Sequence, residues 1–219
     1  RAWREAERRT LADTLVSLFL HGMLDVGLLH ADPHPGNYRF QRRPAPAVAL
    51  LDFGSTRRLD DAERAALREL LVSGTQEAEP DEPDRVLACL VALGFSADLL
   101  APMVEKLPAL ARLLCAPLRG GPSCRDLGRR LGELLGANRW AFRVAGPPTL
   151  LLVMRAYHGL LCQLEALGSP PVSPGILEAA LESSRGLAAT PAPSARHDDA
   201  AAGAAEARHL RVRVSRGGR

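Results

Sequence analysis

Three side chains in the first quarter of the chain carry oxygen donors at spacings that could do chemistry: Asp32, Asn37 and Asp52. Asp32 and Asn37 stand five apart in His30-Ala31-Asp32-Pro33-His34-Pro35-Gly36-Asn37, where two prolines and a glycine exclude a continuing helix. Asp52 follows the apolar run Val48-Ala49-Leu50-Leu51, fifteen residues after Asn37. Two carboxylates and an amide oxygen around one small space are hard donors. They suit Mg²⁺, which takes one or two carboxylates and completes its octahedron with phosphate oxygens and water. Asp32 and Asn37 on their own would read as a turn with local side-chain capping; it is Asp52 beside them that points to a metal–nucleotide site.

For those residues to meet, the chain must fold back between them. Tyr38-Arg39-Phe40 and Val48–Leu51 are short β-type runs, and Gln41-Arg42-Arg43-Pro44-Ala45-Pro46 between them is a turn, so the pair forms a hairpin. Before the loop, Leu11, Leu15, Leu18, Phe19, Gly22 and Val26 recur at helical spacing, predicting one helix from about Glu5 to Gly27. After it, Asp60 and Glu63 have the spacing of a capping box for a helix running to about Ser73. Glu77 to Asp84 reads as an acidic, proline-broken, solvated linker. Helical patterns follow over Arg85–Leu93, Ala97–Leu118 (broken at Pro102 and Pro108), Cys124–Leu135, Thr149–Leu167 and Pro174–Leu187.

The order His-x-Asp-x-x-x-x-Asn, then Asp52-Phe53-Gly54, resembles the catalytic loop and D-F-G segment of protein kinases. The full string H-A-D-P-H-P-G-N, followed by L-L-D-F-G-S-T-R-R-L, resembles the UbiB/AarF-type atypical kinase family of ubiquinone biosynthesis. The Pro33-His34-Pro35-Gly36 insert and Arg57 carry most of that resemblance, and the helix ending in Gly22–Leu29 and the Arg155–Gly159 segment are also similar. It covers about residues 5–185, with the sharp motifs at 30–59.

The resemblance implies a mainly α fold, the helical C-lobe of a kinase-like domain with one short β-hairpin. It implies ATP and Mg²⁺ as cofactors, with Asp32 as the catalytic-loop Asp, Asn37 and Asp52 as metal ligands, and His34, Asn37 and Asp52 contacting the nucleotide. His30 is expected to brace the loop, Phe53 to pack on the preceding helix, and Arg57 to be surface charge or a brace for the D-F-G segment. The family is associated with isoprenoid-quinone and lipid metabolism. A lipid or quinone-pathway partner and peripheral membrane association are therefore expectations, with a bacterial cytoplasm or an organelle as the setting.

No Gly-rich loop, strand lysine or partner glutamate precedes the loop. Lys106, the single lysine, lies well after Asp-Phe-Gly. With a start at Arg1 rather than Met, the chain reads as the C-lobe portion of a longer protein whose N-lobe is missing here. Two other readings stand beside it: an aminoglycoside- or choline-type phosphotransferase, whose loop is similar, and a catalytically dead pseudokinase scaffold.

The bulk composition narrows the field further. With 28 basic and 25 acidic residues in 219, the net charge is +3, too weak to argue for a nucleic-acid partner. The region 188–219 is rich in Ala and Arg and poor in bulky apolar residues, which predicts disorder. It holds six arginines against Asp198, Asp199 and Glu206, so it carries the whole net charge and the domain expected over 1–187 is neutral. No apolar run reaches the roughly 18 residues of a membrane span, and no signal peptide is evident. Cys89, Cys115, Cys124 and Cys162 lack metal-ligand spacing and read as reduced, mostly buried thiols. Trp3, Trp140 and Phe142 read as packing anchors, and His21 and His158 as structural.

Overall fold

A computed structural model describes residues 3–42, 44–75, 81–120, 124–148, 150–173 and 175–186. The tail expected over 188–219 lies outside the described residues, as does the 77–80 part of the acidic linker. The described chain is mainly helical, with two small antiparallel sheets.

Helix α1 spans Glu5–His21 and buries Leu11, Ala12, Leu15, Val16 and Leu20 along one stripe. The expected single helix to Gly27 does not stay α-helical: Gly22–Val26 forms a wider π turn, ended by Gly27 in the left-handed region at φ 68°. The chain passes close to itself at this turn. A Cβ on Gly22 would lie 2.8 Å from the Leu28 carbonyl oxygen. The carbonyls freed at the end of the turn are taken by Arg64, which donates to Leu24 O from Nε and Nη2 (2.9 and 2.6 Å) and to Asp25 O (2.9 Å).

Strand β1 (Leu28–His30) follows, then β2 (Tyr38–Gln41), β3 (Ala47–Leu50) and β4 (Thr56–Arg58). The expected hairpin is β2–β3, in the register Tyr38↔Leu50 to Gln41↔Ala47. A second ladder, β1 against β4 with Leu29 opposite Arg57, was not expected. Three-residue strands carry too little alternation to stand out in a sequence. The ladder closes the chain between them into a loop with laced stems, extended by Ala31 N donating to Ser55 O (2.9 Å) and Leu59 N to Gly27 O (2.9 Å).

Helix α2 (Asp61–Ser73) begins with the expected capping box: Glu63 N donates to Asp60 Oδ1 at 2.8 Å and Asp60 N to Glu63 Oε2 at 3.0 Å. Helix α3 (Glu82–Ala92) starts inside the segment read as a solvated linker, and Glu82 is only 2 % exposed. Its burial is tolerated because its carboxylate is paired. Arg112 Nη1 donates to both oxygens (2.7 and 2.9 Å), and Ser73 Oγ donates at 2.6 Å.

Proline then shapes the path. Helix α4 (Ala97–Leu100) passes at Pro102 into a 3₁₀ segment, Ala101–Lys106, and Pro108 sits in the first turn of α5 (Leu107–Cys115). Helices α6 (Cys124–Leu135), α7 (Arg139–Ala145), α8 (Leu150–Ala166) and α9 (Ile176–Ser183) complete the described chain. Of these, α7 had no sequence expectation.

Two apolar clusters hold the elements. One joins α1 and the π turn to β1, α8 and α9 through Leu11, Leu20, Leu24, Leu29, Leu160 and Leu177. The other gathers α2 to α5 with α6 and α7 around Val86, Leu100, Met103 and Leu107. Each fully buried leucine contributes about 1.5–3 kcal/mol relative to exposure.

Two expectations about side chains fail. Trp140 does not anchor a core: it is 59 % exposed, with the guanidinium groups of Arg139 and Arg143 each 5.4 Å from its ring. Cys162 is exposed rather than buried, with its Sγ 3.5 Å from His158 Nε2, whereas Cys115 is buried. The exposed face of α8 explains Cys162, because only the opposite face packs on α1.

Candidate functional site

The site is built on the two stems of the closed loop. Asp32 and Asn37 flank a prolyl turn whose last residues, Pro35–Asn37, form a single 3₁₀ turn. His34 caps that turn, its Nδ1 accepting from Gly36 N at 3.1 Å, while Asn37 N donates to His34 O at 2.9 Å. The β2–β3 ladder then extends by one bond toward the loop: Leu51 N donates to Asn37 O at 2.8 Å. That bond sets the residue before Asp52 directly beside Asn37.

Asn37 Nδ2 donates to Asp32 Oδ2 at 2.7 Å, with Asp32 O a further acceptor at 3.4 Å. A carboxylate only accepts, so the amide must turn its NH₂ toward Asp32, which leaves the Asn37 Oδ1 lone pairs for another partner. Asp52 sits at φ 56°, the left-handed region that an aspartate reaches only at some cost, and its Oδ1 accepts from Gly54 N at 3.1 Å. Asp32 and Asn37 are half-buried, whereas His34 and Asp52 are exposed.

His30 ties the two stems together. Its Nε2 lies 3.0 Å from Leu51 O and 2.9 Å from Asp52 O. Two carbonyl oxygens require a donor, so Nε2 carries the proton. The ring meets Phe53 edge-on, with centroids 5.5 Å apart, and Tyr38 at 6.2 Å. Burial first, and then the nearby Asp32 charge, push the Tyr38 phenol above its ordinary value, so it stays neutral. Phe53 helps to line an apolar cavity of about 70 Å³ against Leu15 and Phe19 of α1, though it remains 41 % exposed. None of Asp32, Asn37 and Asp52 lines that cavity. Arg57 pairs with Glu63 (2.5 Å) and donates to Arg58 O, linking β4 to the capping box of α2.

One residue of the site was not assigned a role from the sequence. Arg155 Nη2 donates to Asp32 Oδ1 at 3.1 Å. It comes from α8, which presses on the loop at Gly159, where a Cβ would lie 1.9 Å from Pro33 Cβ. Arg155 and Gly159 are four apart and so share a helix face. That spacing was the available signal, but nothing in it named Asp32 as the partner.

Among the described residues no group of three His, Cys, Asp or Glu side chains is placed to hold a metal. The oxygen donors present still fit Mg²⁺, because that ion needs few protein ligands when phosphates supply the rest. Asn37 Oδ1 is left over by the Asp32 bond, and the Asp52 carboxylate keeps an oxygen beyond the one bound to Gly54.

The stretch that contains the loop, both ladders and the Asp-Phe-Gly turn has a counterpart among known domains: residues 2–80 match the family model of the ABC1 atypical kinase-like domain.

Proposed function

We propose that this chain carries the Mg-ATP end of an atypical kinase or ATPase of the UbiB type, with Asp32 as the residue facing the attacking hydroxyl or water. The observation that carries the reading is the Leu51 N to Asn37 O bond. It joins the segment just before β2, which carries Asn37, to the residue just before Asp52, and each of those two side chains keeps a spare oxygen. The match of residues 2–80 to a kinase-like family supports it.

In this reading Asn37 and Asp52 would hold the ion, and bound Mg²⁺ would supply charge neutralisation of the phosphates. Asp32 orients the attacking oxygen and accepts its proton. Asn37 and Arg155 hold the Asp32 carboxylate in place, and His34, whose Nε2 is left over by the Gly36 bond, contacts phosphate. His30 locks the backbone around Asp52, so the carboxylate is presented without reorganisation. The association with quinone or lipid metabolism rests on the resemblance alone.

Thermal-shift titration of the full chain with Mg-ATP tests the site. At about 100 times its Kd the ligand should stabilise by about 2.7 kcal/mol. Asp52→Asn should remove the Mg²⁺-dependent part of the shift, whereas Asp32→Asn should keep the shift and lower phosphate release to a small residual rate. An unshifted melting curve, or an Asp52→Asn variant that turns over normally, would sink the assignment.

Peripheral membrane association has one observation in its favour. Helix α7 exposes Trp140 and Val144, the latter 73 % exposed, four apart and beside Arg139 and Arg143. No acidic residue occurs from Gly136 to Gln163. An aromatic and an apolar side chain flanked by guanidinium groups suit an anionic lipid surface. Co-sedimentation with vesicles of anionic lipid should fall in Trp140→Ala/Val144→Ser; unchanged binding would remove the reading.

A further inference from the structure

Helix α8 lies outside the stretch that matches the kinase-like family, yet it contributes the one cation bonded to Asp32 among the described residues. Both carboxylate oxygens of Asp32 are held, Oδ2 by Asn37 Nδ2 at 2.7 Å and Oδ1 by Arg155 Nη2 at 3.1 Å. Two donors from opposite ends fix the plane of a carboxylate, where one would leave it free to rotate. The Asn37 bond is local, five residues away, and moves with the loop. The Arg155 bond is not. It comes from a helix whose Val153, Ala156, Tyr157 and Leu160 are buried and whose Gly159 allows contact with Pro33.

We infer that Arg155 is a positioning residue for the reaction proposed above, holding the Asp32 carboxylate from a rigid helix at the angle at which it meets the attacking oxygen. The inference rests on the Mg-ATP reading. In the step concerned, a bond forms between the attacking oxygen and the γ-phosphorus. The bond from that phosphorus to the β,γ-bridging oxygen breaks, ADP leaves, and the proton of the attacking group passes to Asp32. Arg155 takes no part in bond exchange. The Arg155 side chain is 54 % exposed and that of Asp32 29 % exposed, so the pair adds little to stability while orienting the base. Of the charged groups on the two elements, Arg155 and Asp32 are the pair in direct contact. Misplacing a reacting group by about 1 Å can cost 10²-fold in rate.

The test measures phosphate release from Mg-ATP by the full chain for wild type, Arg155→Gln, Arg155→Lys and each in an Asp32→Asn background. The expected result is a kcat about 10- to 100-fold lower in Arg155→Gln, with the KM for ATP and the melting temperature near wild type. Arg155→Lys should recover part of the loss. In the Asp32→Asn background Arg155→Gln should add nothing, because there is no carboxylate left to orient. A kcat within twofold of wild type in Arg155→Gln overturns the inference, as does a full additional loss in the Asp32→Asn background. Should Arg155→Gln fold poorly, the same comparison is made with Arg155→Lys, where a kcat equal to wild type is the overturning result. If wild type shows no Mg²⁺-dependent ATP binding, the site reading falls and takes the inference with it. Normal ATP binding with an indifferent Arg155 removes the inference alone.

Discussion

Gly159 packs against Pro33 so closely that a Cβ on it would stand 1.9 Å from the proline's Cβ. Neither partner can yield easily, since one is a proline ring in a short loop and the other is the backbone of a packed helix. Gly159→Ala should therefore separate α8 from the loop at a cost of about 1–3 kcal/mol. For a chain of this size that lowers the melting temperature by about 2–4 °C per kcal/mol. The same substitution should weaken ATP turnover more than Mg-ATP binding, since it also moves Arg155 away from Asp32. Calorimetry and single-turnover kinetics on the one variant check both parts.

The buried Glu82 should be one of the most sensitive charges in the fold. Removing its cation with Arg112→Ala leaves a carboxylate that is 2 % exposed without the guanidinium that donates to both of its oxygens. The expected loss is about 3 kcal/mol, the low end for breaking a buried pair, because the Arg112 side chain is itself 36 % exposed. Glu82→Gln combined with Arg112→Met should recover much of that loss. A denaturant series on the single and double variants measures it.

The thiols should divide by exposure. Burial pushes Cys115 up to about 12 and Cys89 up to about 11, so neither forms thiolate near neutrality. Cys162 is exposed. Iodoacetamide at pH 8 should label Cys162 first among these three, by at least tenfold on rate, with peptide mass spectrometry as the readout. Equal labelling of Cys115 would mean that the α5 end opens readily.

Asp52 should show stability and chemistry pulling apart. Its φ of 56° suits glycine better than any side-chain-bearing residue. Asp52→Gly should therefore leave the melting temperature unchanged or raise it slightly, while Mg²⁺-dependent ATP binding is lost. A matching fall in stability would show that the Gly54 bond to Asp52 outweighs the backbone cost.

Where the chain's own neighbours determine a feature, the sequence shows it. The Asp60–Glu63 capping box, the β2–β3 hairpin and the breaks at Pro102 and Pro108 all depend on residues within a few positions. What stays hidden depends on distant partners. The β1–β4 ladder joins two three-residue strands that are short and unpatterned. Glu82 looks like part of a solvated acidic string until Arg112, thirty residues on, is brought to it. Arg155 meets Asp32 across 123 positions. In the candidate site, the residue types and order were legible, but the orientation of Asp32 was not, because half of it is imposed by Arg155, on a helix 123 positions away whose own sequence does not name its partner.

The laced stems of the 31–55 loop have an evolutionary consequence. Tension or added length introduced at the 44–46 turn must cross the β2–β3 ladder before it reaches Asn37 and Leu51, and the β1–β4 ladder lies beyond that. The turn is thus insulated from the oxygen donors at the base. It is a place where insertions can accumulate, be tagged or be exchanged between relatives, while the chemistry a few residues away keeps its geometry.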